Sequence, residues 1–330
     1  MDRSPTHIPP EWGPQRAVWA GWPYLQAEWG DAFDPARSEI ETFLKALSKV
    51  TPVRIACGSR AAYGDAYGRF ADVTGIGLHT VPSGDIWLRD TGPIFARQGG
   101  GLVAHLFRFN GWGGKYDMVG DTLTAGGLAS VERAARIQHG FVVEGGALDF
   151  DGAGRVLTTR QCLLHPNRNP GWGEAAAETA LRAALGVGEI IWLGDGLTND
   201  HTDGHVDNLA RFIGPGRALC QTPNGPDDPN AIILMQAESA LRAAGLEVVT
   251  IPSPGRIEDG AGQPLPASHM NFLISNGHIF LPSYGEAVTG PAVLALQALM
   301  PDYKIIALPA RAILSGGGAF HCMTQQVPEI

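Results

Sequence analysis

Apolar residues recur along this chain with two spacings, one typical of helices and the other typical of strands. Apolar side chains three or four positions apart, such as Ile40, Phe43 and Leu47, predict amphipathic helices. Five segments follow this pattern, at residues 35–48, 121–136, 173–185, 230–244 and 289–299. Each leads into a short apolar run that predicts a strand, at residues 53–57, 141–143, 190–193, 248–251 and 305–308.

Five helix-then-strand units of this kind indicate a repeated topology without a repeated sequence. Further strands are predicted between the units, at residues 101–109, 155–159 and 206–213. The 44 glycines and 24 prolines are spread between the units and do not pool in a linker. We therefore predict a single α/β domain over residues 1–330, in which residues 255–266 form a loop that is either a surface excursion or a lid.

Composition limits the classes of protein to be considered. The chain has 330 residues, of which 44% are hydrophobic and 17% are charged, so it can build a sizeable buried core. No apolar run approaches the ~20 residues of a membrane helix. The first seven residues also lack the basic start and apolar stretch of a signal peptide. We expect a soluble, cytoplasmic protein with no membrane partner.

Charge and cysteine content exclude further classes. A net charge of −9 opposes binding to nucleic acid, which needs clustered Lys and Arg, and is compatible with a small cationic substrate. The cysteines at positions 57, 162, 220 and 322 lie far apart and form no CxxC motif. We predict free thiols and neither a disulfide framework nor a zinc knuckle. The sequence leaves open whether the chain forms a homo-oligomer.

One cysteine lies close to the C-terminus, in the segment GGGAFHCMTQQVP at residues 316–328. Three consecutive glycines let the backbone approach neighbouring atoms closely or adopt positive φ. They would present Cys322 from a tight turn toward a pocket, as a nucleophile requires. A buried structural thiol is the other interpretation, since free cysteine is among the most buried residue types.

Acidic residues stand beside glycines at two further places. In the motif DIWLRDTGP, an extended start puts Asp85, Trp87 and Arg89 on one face, with Asp90 at the following turn. Glu144 follows a predicted strand and precedes two glycines, a position from which a carboxylate can point into a site. A salt-bridged strand end and an ordinary turn acid are the structural alternatives for these two motifs.

The segment NDHTDGHVDN at residues 199–208 combines three aspartates and two histidines within ten residues. His201 and His205 are four positions apart, a spacing that suits a metal site on a helix. Gly204 and the polar lead-in favour instead a loop that turns into a strand, on which His205 and Asp207 share a face. One histidine and one acid can then address the same ligand, and metal binding is the rival interpretation.

Four motifs in this order carry a specific resemblance: DIWLRDTGP, EGG at residues 144–146, TDGHVD at residues 202–207, and GGGAFHCMTQQVP. The supporting matches are PEW at residues 10–12, FNGWGG at 109–114, LLHPNRN at 163–169 and ASHMNF at 267–272. Together these motifs span essentially the whole chain. The chain resembles the agmatine deiminase branch of the guanidino-group-modifying (pentein) superfamily.

The resemblance implies a five-bladed α/β propeller, with a pseudo-fivefold repeat around a central active site. It also implies hydrolytic deimination of agmatine to N-carbamoylputrescine and ammonia, with no cofactor and no metal. Cys322 is then the nucleophile, while His205 and Glu144 transfer protons. Asp90 and Asp207 bind the guanidinium of the substrate.

The reaction explains why these residue types are needed. A guanidinium is a planar, poorly electrophilic cation, so attack on its central carbon needs a soft nucleophile and carboxylates that hold the group in place. The same carboxylates raise the pKa of the Cys322 thiol, and a bound cation reverses their effect. We therefore expect substrate binding to help ionise the thiol. Trp87 falls where the family places an aromatic wall of the substrate pocket.

These residues do not decide the tail of the substrate. Peptidyl-arginine and free arginine carry the same reacting group, and Arg89 and Arg108 are candidates to bind a carboxylate in the tail. A catalytically silent binding module on this scaffold is expected to lack the cysteine or the histidine, and both are present. A metal-dependent hydrolase built on the cluster from His201 to Asp207 is the remaining alternative, which chelator-resistant activity would exclude.

Overall fold

The computed structural model describes residues 6–330. Residues 1–5, which form most of the N-terminal segment used above to exclude a signal peptide, lie outside the described residues. Within residues 6–330 the chain forms five β-sheets with helices between their strands, which confirms the predicted α/β class. None of the helices in this range combines the length and the hydropathy that a bilayer-spanning segment needs.

Four of the five sheets have three strands each and share one topology. The first two strands of each sheet are antiparallel, and the second and third are parallel. A helix lies in every crossover between the parallel strands, as the helix-then-strand units predict. In chain order the strands are Ile94–Gln98, Gly101–Arg108 and Ala135–Val142, then Asp149–Phe150, Arg155–Thr159 and Glu189–Leu193, then Ala210–Gly214, Arg217–Thr222 and Glu247–Pro252, and finally Leu273–Ser275, His278–Ser283 and Lys304–Pro309.

The fifth sheet joins the two ends of the described chain. Its four strands lie in the spatial order Thr324–Pro328, Gln15–Gly21, Val53–Cys57 and Ile76–Thr80. The C-terminal strand runs antiparallel to its neighbour, and the other pairs are parallel. Cys322 is therefore held by a strand that begins two residues after it, although it lies near the chain end.

The helices confirm the five predicted helical segments and add others. The longer helices are Phe33–Leu47, Arg60–Phe70, Asp121–Val131, Glu174–Leu185, Ala231–Ala243 and Glu286–Leu299. The four-residue helices are Gln26–Trp29, Leu88–Thr91, Gly111–Gly114, Arg160–Leu163 and Arg311–Leu314, and the 3₁₀ turns are Gly30–Ala32, Gly145–Ala147 and Val206–Asn208. Helix Arg60–Phe70 was not predicted, because its buried face consists mainly of small alanines and is a weak sequence signal.

One predicted helix boundary is wrong. The helix predicted over residues 121–136 ends at Val131, and Arg133 has a φ of 53°, which an L-residue rarely adopts within a helix. The next strand then begins at Ala135, so the strand predicted at residues 141–143 is only the end of a longer one. The loop predicted at residues 255–266 is present and contains one isolated β-bridge between Glu258 and Pro264.

Apolar packing anchors the turn that carries Cys322. Phe320 and Met323, on either side of the cysteine, are fully buried. Phe320 stacks on Phe43 of helix Phe33–Leu47, with ring centroids 4.2 Å apart. Burying a side chain of this size contributes roughly 1.5–3 kcal/mol. The core therefore fixes the chain on both sides of the sulfur-bearing residue.

Candidate active site

A cleft opens beside the C-terminal turn, and its walls come from short helices and connections between the strands. We call this surface the cleft; its lining includes Glu28, Trp29, Asp85, Trp87, Asp90 and Cys322. Trp29 and Trp87 stack with ring centroids 5.9 Å apart and form an aromatic side of the cleft. Trp29 Nε1 also donates a hydrogen bond to Asp85 Oδ1 at 3.1 Å. The cleft thus combines an aromatic wall with several carboxyl groups.

Cys322 is held by Asn271 on both its backbone and its side chain. Cys322 is only 3% exposed, and Asn271 Nδ2 donates a hydrogen bond to its Sγ at 2.9 Å. Asn271 Oδ1 accepts from the backbone N–H groups of Ala319 and Cys322, each at 3.1 Å. On the other side, Sγ lies 3.6 Å from Asp207 Oδ2. The sulfur therefore sits between an amide donor and a carboxylate.

The three glycines before Cys322 are required by close contacts, as predicted. A Cβ on Gly318 would lie 2.8 Å from the Trp87 ring and 2.9 Å from Cys322 Cβ. A Cβ on Gly316 would lie 2.7 Å from the Trp29 ring, and Gly317 has a φ of +107°. These distances are shorter than side chains tolerate, so the loop can pass between the tryptophans and the thiol only without side chains.

Asp90 lies on a helical turn, which corrects the extended conformation expected for its motif. Residues Leu88–Thr91 are helical, so Trp87 and Arg89 do not share a face. Trp87 lines the cleft, whereas Arg89 points away from the cleft, where its Nη1 donates a hydrogen bond to Gln326 Oε1 at 2.6 Å. Asp90 Oδ2 accepts from Trp112 Nε1 at 2.9 Å, and this indole fixes the carboxylate at the cleft.

His205 and Asp207 are brought together by a turn and not by the predicted strand. Val206–Asn208 is a 3₁₀ turn, and the strand begins only at Ala210. The turn is set by polar contacts, since the backbone N–H of His205 donates to Thr202 Oγ1 at 3.0 Å. The prediction that the two side chains address one site does not depend on the strand, because the turn also directs them toward the same point.

That point is Gly146 of the EGG motif. A Cβ on Gly146 would lie 2.5 Å from His205 Nδ1, 2.8 Å from Asp90 Oδ1 and 3.1 Å from Asp207 Oδ2. The backbone N–H of Gly146 also donates to Asp90 Oδ1 at 3.0 Å. Side chains from two segments far apart in the sequence, Asp90 on one and His205 with Asp207 on the other, thus converge around a residue that must lack a side chain. Cys322 joins them through its contact with Asp207.

Glu144 completes the group through an arginine that sequence reasoning did not single out. Arg168 Nε donates to both carboxylate oxygens of Glu144, at 2.8 and 3.0 Å. Arg168 also donates to Asp203 Oδ2 at 2.7 Å and to the Thr202 carbonyl at 2.6 Å. All of the predicted site residues therefore belong to one connected region, and Arg168 ties Glu144 to the loop that precedes His205.

One group of possible metal-binding side chains occurs within residues 6–330. Ligand atoms of Glu144, Cys162 and His205 lie within 4.8 Å of one another. However, both oxygens of Glu144 accept from Arg168, whose buried positive charge opposes a cation at this place. His201 stands apart from this group, exposed at the cleft beside Tyr116. We do not identify these side chains as metal ligands.

Burial and like charge suppress ionisation on the cleft side of the site. Burial, together with the charges of Asp207 and Asp90, raises the pKa of the Cys322 thiol well above its usual value. Burial and the charge of Asp207 likewise raise the pKa of Asp90 well above the usual carboxyl range. Burial lowers the pKa of His205 to about 3, so its imidazole is neutral. The free site therefore favours a cationic ligand, which would stabilise the ionised carboxyl and thiol.

Polar atoms without partners indicate where a ligand makes its contacts. Asp207 Oδ1 and both ring nitrogens of His205 are buried and make no hydrogen bond to any described residue. An unsatisfied buried polar atom costs about 1–3 kcal/mol, so a ligand that supplies a partner to such an atom gains free energy. These three atoms belong to the two side chains that meet at Gly146. They are available to a bound substrate.

Several residues of the site were not identified as such from the sequence. Asn271 and Arg168 stand in the motifs ASHMNF and LLHPNRN, which supported the resemblance but had no assigned role. Trp112, in FNGWGG, donates to Asp90. The signal was present, because each of these motifs is rich in polar or aromatic residues. Their partners could not be found, because every contact bridges distant parts of the chain.

A sequence profile of the family described as Porphyromonas-type peptidyl-arginine deiminase matches residues 7–328. The chain belongs to this family. An agmatine deiminase of Pseudomonas fluorescens (strain SBW25) is 37% identical, over 98% of this chain and 95% of that protein. The match confirms the resemblance to the guanidino-group-modifying superfamily that the motifs indicated.

Solved structures of family members have the same fold. A structure of the C. jejuni agmatine deiminase with substrate bound has a TM-score of 0.92 and 27% identity, and the match covers 98% of this chain and 96% of that chain. The Enterococcus faecalis agmatine deiminase has a TM-score of 0.91 and 30% identity, with the same coverage of both chains. The chain is thus similar to these deiminases over nearly its whole length.

Proposed function

We propose that this chain is an agmatine deiminase, which hydrolyses the guanidinium of agmatine to N-carbamoylputrescine and ammonia. The observation that carries the proposal is the cleft itself, where the Cys322 thiol stands beside Asp90 and the further acids Asp85 and Glu28. No Lys or Arg occurs among the described residues that line it. The similar proteins reported above are themselves agmatine deiminases, which supports the same substrate here.

The charge of the cleft favours a substrate that is cationic at both ends. Agmatine carries a guanidinium and an ammonium group, whereas free arginine carries a carboxylate that needs a cationic partner. Arg89, a candidate for that role, lies 3.5 Å from Glu11 on the side away from the cleft. Arg108, the other candidate, is exposed and does not line the cleft. Deimination of peptidyl-arginine is the second candidate function, because the description of the family refers to this reaction.

In the proposed mechanism, Asp90 and Asp207 bind the guanidinium and Cys322 attacks its central carbon. Neutral His205 takes the thiol proton as the C–S bond forms, and it then donates this proton to the departing ammonia. The C–N bond breaks and leaves an amidino-thioether on sulfur. His205 next removes a proton from a water molecule that attacks the same carbon, the C–S bond breaks, and the thiol is restored.

Glu144 and Trp87 have supporting roles in this mechanism. Burial raises the pKa of Glu144 and the neighbouring Arg168 only partly offsets this, which suits a carboxyl that exchanges protons near the imidazole. Trp87 supplies an apolar wall along which the methylene chain of the substrate can lie. The thiol of Cys322 ionises with the help of the bound cation, because its neighbours oppose the thiolate in the free protein.

We further propose that the five sheets stand around the cleft as the blades of an α/β propeller within one domain. Two observations support this arrangement. Four of the sheets share one topology, with an antiparallel pair followed by a parallel crossover, and the fifth sheet also contains one antiparallel pair beside parallel pairs. The site residues also come from connections that lead from one sheet to the next, with Glu144 after the first three-stranded sheet and His205 before the third.

An ammonia-release assay with agmatine, arginine and a blocked arginyl peptide tests the function. We expect kcat/KM for agmatine to exceed that for arginine by about 100-fold, because the carboxylate of arginine has no cationic partner. Activity should resist a chelator and disappear in Cys322→Ala. A preference for arginine or the peptide would refute the assigned substrate, and turnover by Cys322→Ala would refute the thiol mechanism.

A further inference from the structure

Behind the cleft, the imidazole of His321 lies between two carboxylates. Nδ1 of His321 is 2.6 Å from Asp207 Oδ2, and Nε2 is 2.8 Å from Glu11 Oε2. All three side chains are buried, and His321 is 2% exposed. His321 does not line the cleft, and its imidazole contacts the site through Asp207.

Hydrogen-bond chemistry restricts the protonation state of this imidazole. An ionised carboxylate can only accept, so each of the two ring nitrogens must carry a proton to donate. Glu11 also lies 2.8 Å from Arg211 and 3.5 Å from Arg89, both of which favour its ionised form. An imidazole that donates to two carboxylates is an imidazolium.

We propose that His321 is a positioning residue, an imidazolium that fixes Asp207 Oδ2 and thereby directs Asp207 Oδ1 toward the guanidinium of the substrate. Asp207 Oδ1 is the buried oxygen that makes no hydrogen bond to a described residue. The two oxygens of one carboxylate thus have different tasks. Oδ2 is held from behind by His321, and Oδ1 remains available to the ligand.

The positive and negative side chains around His321 and Asp207 are equal in number. Three carboxylates and three cations form what we call the buried charge network, which consists of Glu11, Asp149, Asp207, Arg89, Arg211 and His321. Without the charge of His321 the network has one excess negative charge close to Cys322. His321 therefore also limits the repulsion that a thiolate meets when it forms.

The ionisation of the two carboxyl groups agrees with this assignment. Burial raises the pKa of Asp207, but the hydrogen bond and charge of His321, together with the charges of His205 and Arg211, lower it more, and the pKa lies below its usual value. Burial also raises the pKa of Glu11, and Arg211 and His321 outweigh it in the same way. The titratable and charged groups that face Asp207 or His321 from all packed elements are Glu11, Arg89, Asp90, Asp200, His205, Arg211 and Cys322.

Two amide variants separate positioning from a general structural role. In His321→Asn, the amide nitrogen replaces Nδ1 and can still donate to Asp207, whereas in His321→Gln it reaches toward Glu11, and Asp207 Oδ2 loses its imidazole donor and keeps only the Cys322 thiol. We expect His321→Gln to raise KM for agmatine by about tenfold to a hundredfold, and His321→Asn by about threefold at most. The acid limb of kcat/KM should move to higher pH, further in His321→Gln, because Asp207 then protonates more easily.

Equal effects of the two amides on KM, or no effect of either, would overturn the proposal, because a merely structural histidine does not distinguish them. Thermal unfolding of both variants shows whether a loss of activity reflects a loss of folding. This kinetic arm rests on the proposed function, since it uses agmatine as the substrate.

A second measurement is made on the wild-type protein, so its result does not depend on stable variants or on turnover of a substrate. Nitrogen-15 histidine NMR of the wild-type protein distinguishes an imidazolium from either neutral tautomer by the protons on its ring nitrogens. We expect the His321 signals, identified by their loss in His321→Asn or by proximity to Cys322, to report both nitrogens protonated at pH 7. A deprotonated ring nitrogen at pH 7 would overturn the proposal. Failure of agmatine turnover with an intact imidazolium would refute the proposed function alone.

Discussion

Asp207 separates two buried regions with opposite electrostatic character. Behind it, every charged group of the buried charge network has an oppositely charged partner, as in the contacts of Arg211 with Glu11 and Asp149, both at 2.8 Å. In front of it, Asp207 Oδ1 and His205 have polar atoms without partners, and Cys322 faces carboxylates. The paired charges stabilise the fold, whereas the polar atoms without partners are available to a ligand.

The comparison also explains why the two regions are adjacent. An uncompensated buried charge costs several kcal/mol, so the cleft can keep an ionised Asp207 only if cations stabilise it from the other side. His321 and Arg211 provide this stabilisation, and both lower the pKa of Asp207 against the effect of burial. Asp90 has no such cation, and its pKa is raised by burial and by Asp207.

The largest expected effect comes from removing the nucleophile on the cleft side. Cys322→Ala should reduce kcat for agmatine at least about 10⁴-fold, because no other nucleophile of the site is positioned at the guanidinium carbon. Binding of agmatine, measured by calorimetry, should stay within about tenfold of the wild-type affinity, since the carboxylates that hold it remain. Intact-mass spectra of wild type quenched during turnover should show an adduct on the peptide that contains Cys322.

The behaviour of Cys322→Ser sharpens this result. Serine preserves the size of the side chain but is a weaker nucleophile at neutral pH, so its residual activity should also fall by orders of magnitude. Substantial turnover by either variant, or an adduct on another residue, would contradict the assignment of Cys322. Loss of binding together with turnover would mean that the thiol holds the site together instead of reacting.

The paired side should respond in stability. Arg211 is fully buried and donates to the carbonyls of Met270 and Phe272 besides its two carboxylates. Arg211→Leu leaves Glu11 and Asp149 without this partner, and we expect a loss of about 3–5 kcal/mol in the free energy of unfolding. Denaturant titration measures this change.

An exposed ion pair provides the matched control. Arg155 pairs with Glu189 at 3.0 Å, and both side chains are substantially exposed. Arg155→Leu should change the free energy of unfolding by less than about 1 kcal/mol, because solvent screens the pair. A similar loss in both leucine variants would show that the buried charge network has no special role in stability.

The next effect separates the charge of Asp90 from its geometry. Asp90→Asn removes one of the two carboxylates that hold the guanidinium. We expect kcat/KM for agmatine to fall by an amount that corresponds to a loss of about 2–4 kcal/mol in transition-state stabilisation. Trp112→Phe keeps the charge and removes only the indole donor to Oδ2, so its loss should be about 1 kcal/mol. Steady-state kinetics measures both variants, and equal losses would contradict a role for the charge.

The sequence predicted the fold units well because they are local. The apolar spacing of Ile40, Phe43 and Leu47 depends only on helix geometry, and the helix Phe33–Leu47 buries these residues as expected. The prediction failed where a side-chain hydrogen bond to the backbone overrides strand alternation. His205 and Asp207 lie on a turn, where the backbone N–H of His205 donates to Thr202 Oγ1 three positions earlier, a contact that alternation of side chains along a strand cannot reveal.

The site could be predicted in part for a similar reason. Cys322, Asp90 and Glu144 stand beside glycines, and that local pattern pointed to them before any contact was known. His321 is adjacent to Cys322 in the sequence, yet its partner Glu11 lies 310 positions away. No spacing rule connects two residues at opposite ends of the chain, so only the fold shows that they support the same carboxylate.

The smallest predicted effect is a proton count, which compares the two regions directly. Burial raises the pKa of Asp85 to about 7, so this carboxyl is partly protonated in the free cleft near neutral pH, and burial with the charge of Asp207 shifts the pKa of Asp90 in the same direction. A bound cation lowers these pKa values, so agmatine binding should release protons, and affinity should rise between pH 6 and pH 8.

Calorimetry of Cys322→Ala, in buffers with different ionisation enthalpies, should detect up to about one proton per agmatine, without a contribution from the thiol. Adding Asp90→Asn should reduce the release, whereas Glu11→Gln should leave it unchanged, because the pKa of Glu11 is already low and its carboxyl is ionised in both states. An absence of proton release would mean that the cleft carboxyls are ionised before the substrate arrives, and the contrast between the two sides of Asp207 would then have to be explained by geometry alone.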